Sequence, residues 1–533
     1  MKRNLLGISL LTISGLYFLL AAVIILITII TGQPVIIGIV ISAIILVIQF
    51  LISPFMTDLS MKWFYKAKFN YEVPEYLKKF IEEVCKDNNM KYPRIGYIDD
   101  GAPNAFTYGH TKNDARVVLT RGIFELLTEE EVKTVVAHEL GHASHYDMLF
   151  MTVAQLVPLV LYGIYEVCLR SDKDSNNNNN SSYTALIGVI AYILYIISNY
   201  IVLWLSRTRE YYADSFSIEA TKNPNALASA LVKVGYGLST ATTNAKHSAA
   251  KSNALGIFDS KTSKSLVVTT MEEDGSISKS HIKNAMKWEQ WNIWAKWYEL
   301  NSTHPLISKR LLAISERSKE YKQDPYIVFD LKKEESYIDD FLIEVLISFL
   351  PTLAIIVGVI LGVVGFAAAW NMGLIIGGTL LVTLLFSLIK FFKRYSKKEM
   401  KETTVQDLLG EVKVSHITSI PCSLTGTVIG RGNPGCIFNE DFVIKDKTGI
   451  IFLDYNQPLF IINKIFALFK SQEYFDKEIK ITGWYRRSPV PYVELKTMEI
   501  DGKIKKIYTY GLGLGLRIAG LIASVAVIAI SMM

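Results

Sequence analysis

Polar and apolar positions along this chain are sorted on two length scales. On the longer scale, apolar runs cover residues 5–30, 35–55, 148–168, 184–205, 342–369, 374–392 and 508–532. Hydrocarbon offers no partner to an unpaired backbone group, so a run of about 20 apolar residues predicts a membrane-spanning helix. The first two runs are separated only by residues 31–34, which predicts a tight helical hairpin; those ending at 369 and beginning at 374 are joined through Trp370 and Asn371. Arg517 interrupts the last run and either snorkels to the interface or marks an interfacial segment. On the shorter scale, Val132, Val135, Val136 and Leu140 recur at helical spacing, and Thr128 with Glu131 forms a capping box ahead of them, so 128–148 reads as an amphipathic helix. Between about 401 and 507 the period changes to two, in LTGTVIGRG, DFVIKDKTGIIFLDY, KEIKITGWYRR and PYVELKTMEI. That alternation, broken by Gly, Pro and Asn, predicts a small antiparallel barrel, of which an OB-like barrel is our choice.

Composition agrees with a membrane protein. Of 533 residues, 50% are hydrophobic and 20% charged, which excludes a wholly soluble, disordered, collagen-like or disulfide-stapled chain. Cys85, Cys168, Cys422 and Cys436 form no CxxC pair, so they read as reduced and structural. The apolar core after MKRN is longer than the roughly 7–15 residues of a signal peptide, which predicts a retained anchor with Lys2 and Arg3 in the cytoplasm. Lys and Arg are absent from 31–34 and 370–371, whereas 56–147 carries twelve. By the positive-inside rule, 56–147, 206–340 and 393–506 are cytoplasmic. The expected organisation is a transmembrane hairpin (1–55), a first cytoplasmic segment (56–147), a second transmembrane pair (148–205), a second cytoplasmic segment (206–335), a third pair (341–392), a soluble β domain (400–507) and a possible final span (508–533). The polar stretch SDKDSNNNNNSS reads as a tether, and the small, Lys-rich stretch 243–280 as a loop or a flap over a site.

The chemistry concentrates in TEEEVKTVVAHELGHASHYDM. His138 and His142, four apart on a helix, stand about 5–6 Å apart at Cβ, close enough to share one zinc ion. Glu139 beside the first ligand reaches a metal-bound water rather than the metal, the general-base place in an HExxH metalloprotease. A structural site would want four protein ligands and no adjacent base. For the third ligand, His145 lies two turns from His138, and Glu210 in SRTREYYAD is the better candidate. Asp214, one turn further, is placed to accept from a ligating imidazole; the plainer alternative pairs Glu210 and Asp214 with Arg207 or Arg209. Asn104, Ala105 and Phe106 follow the strand-like RIGYI and precede ARVVLTRGI, so they suit an edge strand that pairs with an extended substrate, or an ordinary hairpin edge.

The set HELGH (138–142), SRTREYYAD (206–214), APNAF (102–106) and THPLISKRL (303–311), over roughly residues 1–320, resembles the HtpX-type membrane zinc metalloproteases, relatives of the CAAX prenyl endopeptidase. The resemblance implies a mainly helical, zincin-like (gluzincin) protease domain with a small β-sheet. It implies one Zn2+ held by His138, His142 and Glu210, Glu139 as catalytic base, and cytoplasmic cleavage of misfolded or damaged membrane proteins. His304, before Pro305, resembles part of an HPxxxxR segment and is either an oxyanion donor or a packed histidine; Arg310 is then a candidate substrate contact. The expected partners are protein or peptide substrates and the lipid bilayer of the plasma membrane. Nucleic acid is not expected, because the barrel's Lys and Arg are mixed with Asp and Glu. Two other readings stand beside this one: CAAX-type prenyl-protein processing, and a non-catalytic scaffold acting through the barrel. A zinc transporter would need ionisable groups in mid-span, whereas Glu166 and Glu344 lie near span ends.

Overall fold

The computed structural model describes residues 2–31, 36–100, 103–174, 181–240, 279–329, 335–431, 441–488 and 490–533. Residues 32–34 of the expected hairpin turn, the middle of the polar tether and almost all of 243–280 lie outside these residues, as does the first position of APNAF. The described residues fall into two compact units. One holds those between Met1 and Ala241 and those of Glu299–Val328, the other those between Lys261 and Tyr298 and of Phe329–Met533.

In the first unit the apolar runs form helices α1 (Lys2–Thr31) and α2 (Ile36–Phe64), and after the soluble segment α6 (Asp147–Asp174) and α7 (Ser181–Thr221). Leu16, Leu20 and Val23 of α1 pack with Ala154, Val157 and Leu161 of α6 and with Val202 and Leu205 of α7. The fourth apolar run does not end as a helix near 205. It continues without a break to Thr221, and 41 residues at 1.5 Å each are about 60 Å, twice the ~30 Å hydrocarbon thickness. The polar stretch after Leu205 stays helical because it packs on the soluble part.

That part is built on a four-stranded sheet of β1 (Lys68–Phe69), β2 (Arg94–Ile98), β3 (Ala105–Tyr108) and β4 (Arg116–Thr120), in the order β1-β2-β4-β3. β2 and β4 run parallel, and β3 is an edge strand antiparallel to β4. Around it lie α3 (Glu75–Asp87), whose Leu77, Ile81, Val84 and Cys85 are buried at helical spacing, α4 (Arg121–Leu126), α5 (Glu129–Ser144) and α8 (Pro224–Thr240).

The second unit contains α9 (Lys279–Trp291) and most of α10 (Ile293–Leu300); α11 (Ile307–Ser318) belongs to the first. Helices α12 (Ile338–Ala367) and α13 (Met372–Arg394) are linked by a short turn in which Asn371 accepts hydrogen bonds from the backbone N–H of Gly373 and Leu374. After β5 (Lys401–Glu402) and α14 (Val405–Gly410), the alternating region forms β6 (Ile420–Arg431), β7 (Phe442–Lys445), β8 (Ile450–Asp454), α15 (Phe460–Phe469), β9 (Glu478–Ser488), β10 (Val490–Ile500) and β11 (Lys503–Lys506). Five strands close into a barrel: β6 pairs with β7, β7 with β8, β8 in parallel with β10, β10 with β9, and β9 with β6. Gly483 is required for this closure, since a Cβ there would stand 2.3 Å from the Glu494 carbonyl oxygen.

The last run is helix α16 (Thr509–Met532). Arg517 turns inward, donating to Ser387 Oγ at 2.9 Å and the Gly513 carbonyl at 2.8 Å, with its guanidinium over Phe391. A charge satisfied within a helix group is compatible with a spanning segment. Six described helices are long and apolar enough to cross a bilayer: Leu5–Ile27, Asp147–Leu169, Thr184–Thr221, Ile338–Ala367, Met372–Arg394 and Thr509–Met532.

Candidate metal centre and catalytic site

The site begins with α5. Its capping box forms in both directions, Thr128 Oγ1 accepting from Glu131 N–H and Glu131 Oε2 from Thr128 N–H, which satisfies two of the donors a helix start leaves open. Val132, Val135, Val136 and Leu140 are buried and fix the rotation of the helix. α7 lies against it at Gly141, where a Cβ would come 3.2 Å from Ala213 Cα and 3.1 Å from Phe216 Cβ. This close approach brings Glu210 of α7 to the two histidines.

His138 Nε2 and His142 Nε2 are 3.1 Å apart, and Glu210 places Oε2 3.5 Å from the first and Oε1 3.5 Å from the second. Ligand atoms 2.0–2.1 Å from a tetrahedral ion are separated by about 3.3 Å, so these three donors already stand at the spacing a metal imposes. The outer nitrogens explain how both inner ones are free to bind. His138 Nδ1 lies 3.0 Å from Asp214 Oδ1, and His142 Nδ1 lies 2.6 Å from Asp147 Oδ2. With each outer nitrogen facing a carboxylate, two lone pairs converge on one point, an arrangement that calls for a cation.

Each carboxylate is clamped in turn by a buried arginine. Arg310 donates to Asp214 through Nε at 2.8 Å and Nη2 at 2.6 Å, and its Nη1 is 3.4 Å from Glu210. Arg209 holds Asp147 through Nε at 2.6 Å and through Nη2. Burial pulls both imidazoles down, but Asp214 and Glu210 outweigh it for His138, and Asp147 and Glu210 raise His142 to about 9. The cage therefore attracts positive charge. Burial also pushes the Glu139 carboxyl up, against the pull of His142 and His138.

The pattern of peptidase family M48 matches residues 73–318. The chain is 41% identical over 192 residues to the "Protease HtpX homolog" of Methanothermobacter thermautotrophicus, spanning 36% of this chain and 70% of that relative. This chain belongs to peptidase family M48. The homologue from Bacteroides fragilis strain ATCC 25285 is 36% identical over 165 residues, and there the match spans 29% of this chain and half of the relative. The crystal structure of S. mikatae Ste24p is 16% identical, covers 56% of this chain and 62% of its own, and at a TM-score of 0.33 carries no argument. M48 is a metalloprotease family, and with its apolar helices this M48 chain is an integral membrane protein.

In this M48 chain a cavity of about 400 Å3 opens over the donor cluster, lined among others by Pro54 of α2, Thr107 and Tyr108 of β3, Glu139, His142, Met151 and Gln155 of α6, Glu210 and His304. His304 Nε2 is 3.5 Å from Glu210 Oε1 and Thr303 Oγ1 is 2.9 Å from its Nδ1, so it borders both the cluster and the cavity. His145 turns the other way, with its ring edge-on to Tyr212 and Phe216.

Two expectations change. Arg310 was expected at the substrate, but it has no exposed surface and is engaged by Asp214 and Glu210, so it positions other residues. Asn104, Ala105 and Phe106 are buried in the sheet, Phe106 among Met61, Ile98 and Val118. The part of the edge strand that meets the cavity is Thr107 and Tyr108, with Gly109 just beyond it. Asp147 was missed, and Arg209, weighed as a partner of Glu210 and Asp214, holds Asp147 instead.

Proposed function

We propose that this chain is a zinc-dependent membrane endopeptidase. The observation that carries the reading is the cluster of three donors at 3.1–3.5 Å on the floor of a cavity that Glu139 also lines. His138, His142 and Glu210 hold one zinc ion, which when bound supplies Lewis acidity and an acidified water. Glu139, buried in the cavity wall, takes the proton of the attacking water on its carboxylate and delivers it to the leaving amine. Asp214 and Asp147 fix the tautomers of the two imidazoles, and Arg310 and Arg209 fix the carboxylates. His304 is placed beside the cluster to donate to the charge that develops on the scissile carbonyl. Thr107 and Tyr108 offer an extended peptide a strand edge at the cavity, which suits a protease that reads main chain rather than side chains.

Misfolded or damaged membrane proteins at the cytoplasmic face of the plasma membrane are the substrate class. The balance of Lys and Arg supports that side, and the α6 and α2 side chains in the cavity wall support a substrate arriving from the bilayer. The protease region is 56–147 with 206–335, and 400–507 is an OB-like module: its strand pairing, with α15 between the third and fourth barrel strands, supports that assignment. The deciding experiment measures metal content and casein or self-cleavage by detergent-purified protein. Glu139→Gln is expected to keep one zinc per chain and lose cleavage; cleavage that survives the substitution overturns the assignment of the base.

A further inference from the structure

We infer that α15, the helix inserted between β8 and β9 of the barrel, is an interfacial membrane anchor whose apolar face lies in the same bilayer that α16 enters. Its sequence, FIINKIFALF, is apolar nearly all round, yet only one side is used by the barrel. Asn463, Phe466 and Ala467 are buried, with the Phe466 ring stacked 4.1 Å from Tyr455 and edge-on to Phe442. The opposite side exposes Leu459, Phe460, Ile461, Ile462, Ile465 and Leu468, with Phe460 and Ile461 about 70% accessible. Six large apolar side chains in ten positions exceed what a soluble surface carries without a partner.

The occupant follows from where this face begins. The residues that lead into α15 are bonded to those that lead into α16. Gln457 donates through Nε2 to the Lys506 carbonyl at 3.0 Å and accepts from Tyr508 N–H at 3.1 Å, and Thr509 Oγ1 donates to the Asn456 carbonyl. Thr509 is the first residue of the apolar span Thr509–Met532, whose early turns expose Leu512 and Leu516. The apolar face of α15 therefore starts at the point where the chain enters the membrane, and is continuous with an apolar surface already committed to lipid. Lys470 and Lys506 are exposed at this junction, beside Glu473 in the adjoining turn. An amphipathic helix of this kind seats its apolar face ~5–10 Å into the headgroup and acyl boundary. Because α15 is held by its buried side, it cannot roll away, and the barrel is pressed to the bilayer at a third point besides the ends of α13 and α16.

The test uses the full chain in nanodiscs of phosphatidylcholine and phosphatidylglycerol, with Cys168 and Cys436 replaced by Ser and a nitroxide placed singly at Ile461, Ile465 or, as a control, exposed Lys480 of β9. Labels at 461 and 465 are expected to collide more with oxygen than with a polar nickel chelate, and the label at 480 the reverse. In an Ile461→Asp and Ile465→Asp background, which touches no buried side chain, a label at Ile462 is expected to change from oxygen-accessible to chelate-accessible. Chelate accessibility at 461 and 465 equal to that at 480 overturns the inference, and so does dipolar broadening between labels at 461, which would assign the face to a second copy of the chain.

Discussion

Asp147→Asn separates a metal-organising role from a purely structural one. The carboxylate accepts from His142 Nδ1 at 2.6 Å and is clamped by Arg209, which is itself buried. The amide keeps the shape but loses the charge, and it can present an N–H to the imidazole where an acceptor is needed, favouring the tautomer whose Nε2 carries the proton and cannot bind metal. Partners of this kind contribute roughly 10–100-fold to metal affinity, or about 1.4–2.8 kcal/mol. The substitution also leaves a buried guanidinium with the Ser9 hydroxyl and the His145 carbonyl but no counter-charge, which costs about 3–5 kcal/mol of stability. The two effects can be separated. Asp147→Asn with Arg209→Met removes the orphaned charge, so thermal stability should recover while zinc affinity stays low. Competition against a chromogenic chelator in detergent gives the zinc Kd, and intrinsic-fluorescence melting gives stability. Zinc affinity within twofold of the parent in the single variant would refute the argument, because the acceptor would then have no hold on the ligand.

Gly141→Ala places a Cβ about 3.1–3.2 Å from Phe216 and Ala213; the forced separation of α5 and α7 should cost about 1–3 kcal/mol and move Glu210 off the histidines, so both melting temperature and zinc stoichiometry should fall, and full zinc with an unchanged melting point contradicts the close-packing argument. In the second unit, burial followed by the nearby charges of Arg394, Lys390 and Arg486 lowers His416 to about 4. A depressed histidine leaves the unfolded chain to take up the proton first, so its contribution is intact above about 6.5 and is lost as pH falls from there towards 4. His416→Gln should flatten that part of the stability profile, measured by melting at pH 7.5 and 5; an unchanged slope rules His416 out as its source.

Legibility in the sequence followed the range of the interactions. The two histidines, the capping box and the buried stripe of α5 lie within one helix, so spacing alone placed them. The closed barrel was legible from the period-two alternation of stretches such as KEIKITG, although β7 and β8 are buried without alternation and the parallel pairing of β8 with β10 leaves no local mark. Asp147 was not legible. Five residues after His142 it would leave the ligand face of a continuous helix, and it returns only because Tyr146 adopts φ 58° and turns the chain into α6. Arg207 and Arg209 read alike on either side of one residue, yet Arg207 donates to the carbonyls of Glu299 and Ser302, whereas Arg209 reaches Asp147. The strand reading fell short by a few positions because Ala105 and Phe106 are as apolar as the core they enter, and nothing local marks Thr107 to Gly109 as the part that borders the cavity.

The unbroken course of α7 has a consequence for biogenesis. His138 and His142 are synthesised before two membrane crossings, and Glu210 only after both, on the far extension of the second. Arg310, which steadies Asp214 and Glu210, comes later still. A ribosome-bound chain that has not yet inserted α6 and α7 as an antiparallel pair has no third donor. An insertion in which only one of the two helices crosses leaves the two histidines on one side of the bilayer and the glutamate on the other. Correct topogenesis is thereby a condition for the donor set to exist, and a hydrolase that would be hazardous while half-made is kept inert by its own order of assembly.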